Sequence, residues 1–425
     1  MTQQTGVPAA CPRCGELLPD DDAGLPWCDS CDWNVDPYPP APPSTRLARH
    51  LAALGEQFDE GLLAAARRPQ DRPRSSAARV GALALGWCMH FVTFCVVAAA
   101  LLVATVSPLA PVFRWFVAAL LGLIAIAVFP RLPGLARDER TLDRSAAPAL
   151  FSLLDDVARV AGTSAPHTVV VDNEFNAWAT TIGWRRRRVI GIGRPLWVLL
   201  SPQQRVALLG HELGHLAGTD CRDGLVVTTA MQSLSQWYRL IAPMAANESI
   251  AFQFAATPYA ADRAGGTYRV ETEAGVAVFN AVMALPRKVL AGYLRLLTMV
   301  AARASQHAEY RADTLAASAG SPAAAIGLIE RLYLAPVVRT WRLRVSRRKG
   351  PFRWQELVDD VHAVPSRQIE RMRRVGRSRR QRIDASHPSN AARIDVLTAL
   401  PDAEPAVTLT APANEAVLKE ILASS

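Results

Sequence analysis

Two stretches of the chain carry almost no polar punctuation. Gly81 to Val106 runs 26 residues without a formally charged side chain, long enough to cross a bilayer. After a short turn at Ser107 to Pro111, Trp115 to Phe129 is apolar again, and it reaches spanning length once Val112 and Phe113 are included, with Arg114 able to snorkel. Beyond this pair the rhythm changes. Ala149, Leu150, Leu153, Leu154, Val157 and Val160 recur at helical spacing, predicting a helix over 145–165. Thr168 to Val171 is a β-branched run, read as a strand; residues 173–178 read as a loop; Arg187 to Ile192 reads as a second strand, with Gly191 and Gly193 as points of close backbone approach. Leu200 to Thr219 then writes a complete helix. Ser201 caps it, Pro202 suits its first position, Gln204 completes a capping box, and Gly218 offers a stop. Val206, Leu209, Leu213 and Leu216 form its buried stripe. Two later apolar stretches, 224–246 and 274–302, are candidates for further membrane helices. The first carries a polar stripe of Gln232, Gln236 and Arg239, and the second is interrupted at Pro286-Arg287-Lys288.

Composition and charge sharpen that outline. Half of the 425 residues are hydrophobic, high for a purely soluble chain, and the formal charge is +9. Such an excess suits a nucleic-acid binder or a membrane protein with basic cytoplasmic flanks. Arg67, Arg68, Arg72, Arg74 and Arg79 precede the first apolar stretch, and Arg131, Arg137, Arg140 and Arg144 follow the second, while the turn between them is uncharged. The positive-inside rule therefore places both flanks in the cytoplasm, giving a multi-pass cell-membrane protein whose N-terminus and main domain face inward. Arg367 to Arg382 holds eight arginines and one glutamate and reads as a basic helix against an anionic membrane surface. Nucleic acid is disfavoured, since no aromatic interleaving accompanies the charge. Residues 1–40 are polar and proline-rich, unlike a secretory signal.

Three clusters carry chemistry. Cys11-x-x-Cys14 and Cys28-x-x-Cys31 form two knuckles whose four thiolates can close a tetrahedron around zinc. Such a closed site is structural and marks a zinc ribbon, a module for binding a partner that the sequence does not identify. The remaining Cys88, Cys95 and Cys221 lie in apolar or helix-end surroundings, which fits a reducing compartment. His211-Glu212-Leu213-Gly214-His215 sits on the capped helix, where two imidazoles four residues apart share a face and can reach one zinc ion. Glu212 can take a proton from zinc-bound water. Further on, Glu309 and Asp313 lie four apart on a helix. Glu309 supplies a third zinc ligand, and Asp313 can hold a zinc-binding histidine in its tautomer.

With Asn176-Ala-Trp-Ala179, His211 to His215, Glu309-Tyr-Arg-Ala-Asp313, and His387-Pro388 followed by Arg393, the chain resembles the integral-membrane zinc peptidases that include the HtpX proteases and the CAAX prenyl endopeptidases. The order of these motifs is far more specific than any one of them. The resemblance covers about residues 132–400 and the preceding apolar hairpin, and leaves the ribbon outside. It implies a gluzincin fold, mainly α with a small β-sheet. Zinc would sit on His211, His215 and Glu309, with Glu212 as general base; Asn176 and His387 would lie near the substrate, and Arg393 would order the site. The expected layout is a zinc ribbon (1–36), a Pro/Arg-rich linker (37–80), a transmembrane hairpin (81–130), a metallopeptidase domain (131–400) and a C-terminal tail (401–425). One catalytic and one structural zinc follow, with protein or peptide substrates drawn in part from membrane proteins. The competing expectation is a catalytically inactive membrane scaffold that recruits partners through its ribbon; intact Glu212 and a full ligand set argue against it.

Overall fold

A computed structural model describes residues 10–19, 26–39, 45, 46, 49, 53, 77–130, 140–183, 185–217, 220–242, 278, 280–348, 353–378 and 388–423. The expected linker, the arginines at 131 and 137, the stop at Gly218 and the candidate residue His387 lie outside these or almost wholly so. Helix α1 (Ala77–Val106) and helix α2 (Pro111–Val128) form the apolar hairpin. Both are long and apolar enough to cross a membrane, and only 11% and 6% of their most apolar stretches are buried. Neither helix hides its apolar surface in a core. Phe91, Phe94, Leu101, Phe116, Leu123 and Ile126 all point outward, more than 60% exposed.

A helical layer packs against this hairpin. Helix α3 (Pro148–Val160), helix α4 (Arg194–Leu199) and helix α5 (Pro202–Ala217) belong to the main domain, and α6 (Asp220–Leu240) and α7 (Ala284–Gly320) return to the hairpin. Ala82 and Met89 of α1, Val227, Ala230 and Leu234 of α6, and Leu294 and Leu297 of α7 make one buried cluster. Part of the polar stripe on α6 turns inward. Gln236 donates to the carbonyl of Ala127 at 3.0 Å and Trp237 to that of Val128 at 3.2 Å, occupying acceptors at the end of α2 that lack intrahelical donors. The interruption at Pro286 falls in the first turn of α7, where proline's missing N–H costs nothing, and the 37-residue helix continues unbroken from there.

A four-stranded sheet lies over the main domain in the order β1 (Thr141–Leu142), β2 (Thr168–Asp172), β4 (Arg187–Gly193), β3 (Ala177–Ile182). β2 and β4 run parallel, and β3 pairs antiparallel with β4 from Ala177 opposite Ile192 to Ile182 opposite Arg187. The second expected strand, β4, is thus interior, and among the described residues β3 forms one edge of the sheet, beginning inside the stretch read as a loop. Both glycines of β4 serve the pairing: the Trp178 ring lies against Gly191, and a Cβ at Gly193 would sit 1.8 Å from the Glu174 carbonyl oxygen.

The main core gathers α3, the sheet, α5, the C-terminal half of α7, helix α8 (Pro322–Leu332) and helix α13 (Ala411–Leu422). Residues 401–423, expected as a tail, fold back onto it: Val417 and Ile421 are buried, and Glu420 accepts from the amides of Ala149 and Leu150 at the start of α3, which has no side-chain cap of its own. Helices α9 (Ala335–Arg347) and α10 (Trp354–His362) form a smaller cluster around Trp341 and Leu357. Helix α11 (Ser366–Ser378) packs against helix α12 (Asn390–Thr398).

Candidate metal centre

Small residues bring the two ligand-bearing helices together. Where α5 crosses α7, Ala207, Gly210 and Gly214 face Ala312, Ala316, Ala319 and Gly320. A Cβ built on Gly210 would lie 3.0 Å from the Ala316 Cα, and one on Gly214 2.9 Å from the Ala312 Cα. Backbones this close leave room only for glycine. The capping box at the start of α5 forms as the sequence predicts, with Ser201 N donating to Gln204 Oε1 at 3.0 Å and Gln204 N to Ser201 Oγ at 3.4 Å.

That crossing places His211, His215 and Glu309 side by side. The two Nε2 atoms lie 3.2 Å apart, with Glu309 oxygens 3.5 Å from His211 Nε2 and 3.3 Å from His215 Nε2. All three ligand atoms fall within 4.8 Å of one another. Two imidazole nitrogens and one carboxylate converging on a point are the donor set of a catalytic zinc site, so the residues present fit the ion. Glu309 is 1% exposed and Glu212 5%. A carboxylate as buried as Glu309 needs a cation to offset its desolvation.

Behind the ligands stands a second layer. His211 Nδ1 lies 3.0 Å from Asp313 Oδ1, and Arg393 on α12 grips the same carboxylate in a fork, Nε to Oδ2 at 2.8 Å and Nη2 to Oδ1 at 2.6 Å. Burial alone would raise the Asp313 carboxyl, but the Arg393 charge and its hydrogen bonds, with His211 adding to them, hold it well below the usual carboxylate range. With Asp313 ionised, the His211 proton sits on Nδ1 and the Nε2 lone pair faces the centre. Asn176 does not join this group. It is exposed at the entry to β3, and its carbonyl accepts from the Gly193 amide at 2.9 Å.

The four cysteines also converge, with Sγ atoms within 4.8 Å of one another. Gly15, at φ +77°, makes the turn after the first knuckle. Burial and the neighbouring thiols push Cys31 up to about 12, while against desolvation the amides of Arg13 and Cys14 draw Cys11 down to about 7. Four thiols so close cannot ionise together without a cation, and the set suits a tetrahedral, closed zinc site. What the sequence did not reveal is where this module sits. The basic helix α11 turns Arg367, Arg371 and Arg374 onto it, so these arginines face the ribbon and not a lipid surface. Their spacing of four and three residues was the available signal, and it names a face without naming what covers it.

Comparison with known proteins agrees with this geometry. The family model for "Peptidase family M48" matches residues 145–400, more than half of the chain, and encloses His211, His215 and Glu309 but not the four cysteines. A protease HtpX homolog of Methanocaldococcus jannaschii is 27% identical over 131 residues, 30% of this chain and 46% of that protein. One of Thermococcus kodakarensis is 30% identical over 107 residues, 24% of this chain and 37% of its own length. Protease HtpX of Pseudomonas putida is 25% identical over 185 residues, 43% of this chain and 55% of that protein. The chain thus spans about half or less of the length of these curated relatives, and no solved structure matches it. Two histidines one helical turn apart, a glutamate on a crossing helix and a family match that encloses them all lead to one assignment: the chain belongs to peptidase family M48.

Proposed function

We propose that this chain is a membrane-anchored zinc metalloendopeptidase whose site faces the cytoplasm, acting in the processing or quality control of membrane proteins. The convergence of His211, His215 and Glu309, with Glu212 buried on the same helix turn, carries the reading. A zinc ion bound there supplies a Lewis acid and a water acidified to near neutral pH. Glu212 accepts a proton from the attacking water and passes it to the amide nitrogen as the peptide bond breaks. Asp313 and Arg393 hold the His211 ring so that its donor atom does not swing away. The outer edge of β3, unpaired among the described strands and packed beside α5, can take an extended peptide by main-chain hydrogen bonds. Asn176 at the entry to that strand contacts the peptide, and His387 donates to the oxyanion as the carbonyl is attacked, roles that follow from likeness to the family.

Depth supports the cytoplasmic site. Val300 of α7 lies against Gly81 near the start of α1, and Glu309 is nine residues further, about 13 Å along the helix. The centre therefore stands just beyond the end of the hairpin at which α1 begins, the end that the flanking arginines assign to the cytoplasm. The test is Glu212→Gln in the full-length protein. Hydrolysis of a denatured protein substrate should fall below detection while zinc at the His-His-Glu site remains at the parent's level. A Glu212→Gln protein that cleaves as fast as the parent overturns the mechanism.

A further inference from the structure

The ribbon and the basic helix fit one another too closely to be chance neighbours. Arg367, Arg371 and Arg374 occupy one face of α11, and each reaches a main-chain carbonyl of the second cysteine knuckle. Arg367 Nη2 donates to Trp27 O at 2.5 Å, Arg371 donates to Val35 O at 2.9 Å and Asn34 O at 3.0 Å, and Arg374 donates to Asp29 O. Arg367 and Arg374 also stack over the Trp27 ring, at 4.7 and 5.3 Å. Carboxylates complete the contact, with Asp29 beside Arg367 and Asp32 beside Arg374. Arg371 is 7% exposed, and an arginine is buried this far only where its hydrogen bonds are met. The accepting carbonyls exist as a set only while the knuckle is closed, because Asp32 and Asn34 both hold left-handed backbone, φ +56° and +57°, within it. Charge points the same way. Residues 10–36 carry seven acidic side chains and one arginine, while 366–378 carry five arginines and one glutamate.

The other side of α11 belongs to the peptidase body. Arg373 pairs with Glu330 of α8 at 2.9 Å, and Gly376 lies against the Tyr333 ring, where a Cβ would come within 2.4 Å of Cε1. α11 also packs on α12, the helix whose Arg393 holds Asp313 and reaches His211. We propose that the partner of the ribbon is this chain's own helix α11: closed around its metal, the ribbon clamps α11 and through it sets α12 and Arg393, so that the peptidase centre depends on the integrity of the four-cysteine site about which the ribbon folds. Arg371 is then a positioning residue, distant from the reacting atoms. The effect on activity rests on the peptidase reading above; the docking itself does not.

The experiment compares full-length Cys14→Ser, Arg371→Ala, their double variant and, as a control on the exposed end of α11, Arg377→Ala. Amide hydrogen exchange across 366–398, zinc content and kcat and KM on a denatured protein substrate are measured together. Cys14→Ser should lose one zinc of two and Arg371→Ala should keep both. Each should raise exchange in α11 and α12 and lower kcat about fivefold with little change in KM, and the double variant should be no worse than either single one, as linked parts of one coupling require. Arg377→Ala should match the parent in all readouts. Exchange in α11 unchanged by both Cys14→Ser and Arg371→Ala overturns the clamp. Raised exchange with unchanged kcat overturns its link to the centre. If the parent itself hydrolyses nothing, it is the peptidase reading that fails, and the exchange data alone decide the clamp.

Discussion

At the scale of single residues, the centre turns on one buried ion pair. Arg393 and Asp313 are 5% and 2% exposed, and neither charge would be tolerated there without the other. Removing the arginine leaves a carboxylate uncompensated beside His211. Arg393→Ala should therefore cost about 3–5 kcal/mol of stability, read as a lowered midpoint in chemical denaturation of the zinc-loaded protein. It should also weaken zinc binding about 10- to 100-fold, as losses behind a metal-bound histidine do, read by competition with a chelator. Unchanged zinc affinity would show that Arg393 does not orient His211. The sequence exposed these residues unevenly. Glu309 and Asp313, four apart on a helix, could be paired with the His-Glu-x-x-His helix on chemical grounds. Arg393 lies 80 residues from Asp313 and sits among many arginines, so only its likeness to a known motif marked it out.

Among elements, the crossing of α5 and α7 decides whether three ligands meet. Gly214 stands between the two histidines, and a methyl group there would press on the Ala312 backbone from 2.9 Å. Because backbone cannot rotate away as a side chain can, the helices must separate by a few tenths of an ångström. Gly214→Ala should thus lower zinc affinity at the centre by about tenfold or more, comparable with losing a supporting group. Gly292→Ala on α7, with open space around it, should be neutral or slightly stabilising, since alanine costs a helix less entropy. Metal titration of the two variants checks this, and equal affinity in both would remove the seam from the argument. Capped helices and the strand Thr168–Asp172 were legible because local rules govern them. β3 was not: all six of its residues are half-buried, so no alternation marks it, and its pairing partner supplies the order. The docking of α11 was hidden for a different reason. An arginine face looks the same in sequence whether lipid, solvent or another module covers it.

At the scale of the whole molecule, the course of α6 and α7 relative to α1 carries a topology. On α1 and α6, Gly86 meets Val226 and His90 meets Thr229, so the two helices advance together. On α1 and α7 the order is reversed: Leu85 meets Tyr293 and Gly81 meets Val300. α6 thus carries the chain outward from the metal centre and α7 brings it back. Its 21 residues make α6 about 31 Å long, the thickness of a bilayer core. Val282, Leu285 and Val289 stand 61–70% exposed near the outer end of α7, where solvent would disfavour such a patch and lipid would not. Arg287, the charge nearest that end, is held by the carbonyl and side chain of Asn280. Two helices, α1 and α2, are long and apolar enough by themselves to cross a membrane, and a topology in which α6 and α7 cross beside them is tested by labelling. In intact cells, a membrane-impermeant maleimide should label Ser107→Cys and Ala260→Cys above the unsubstituted parent, and should label Thr410→Cys only after permeabilisation. The native Cys88 and Cys95, on α1 within the apolar layer, should stay dark to a charged reagent. Label at Ala260→Cys only after permeabilisation would reduce the anchor to the single hairpin. Label at Thr410→Cys in intact cells would place the metal centre on the outer side and reverse the orientation read from the arginine flanks.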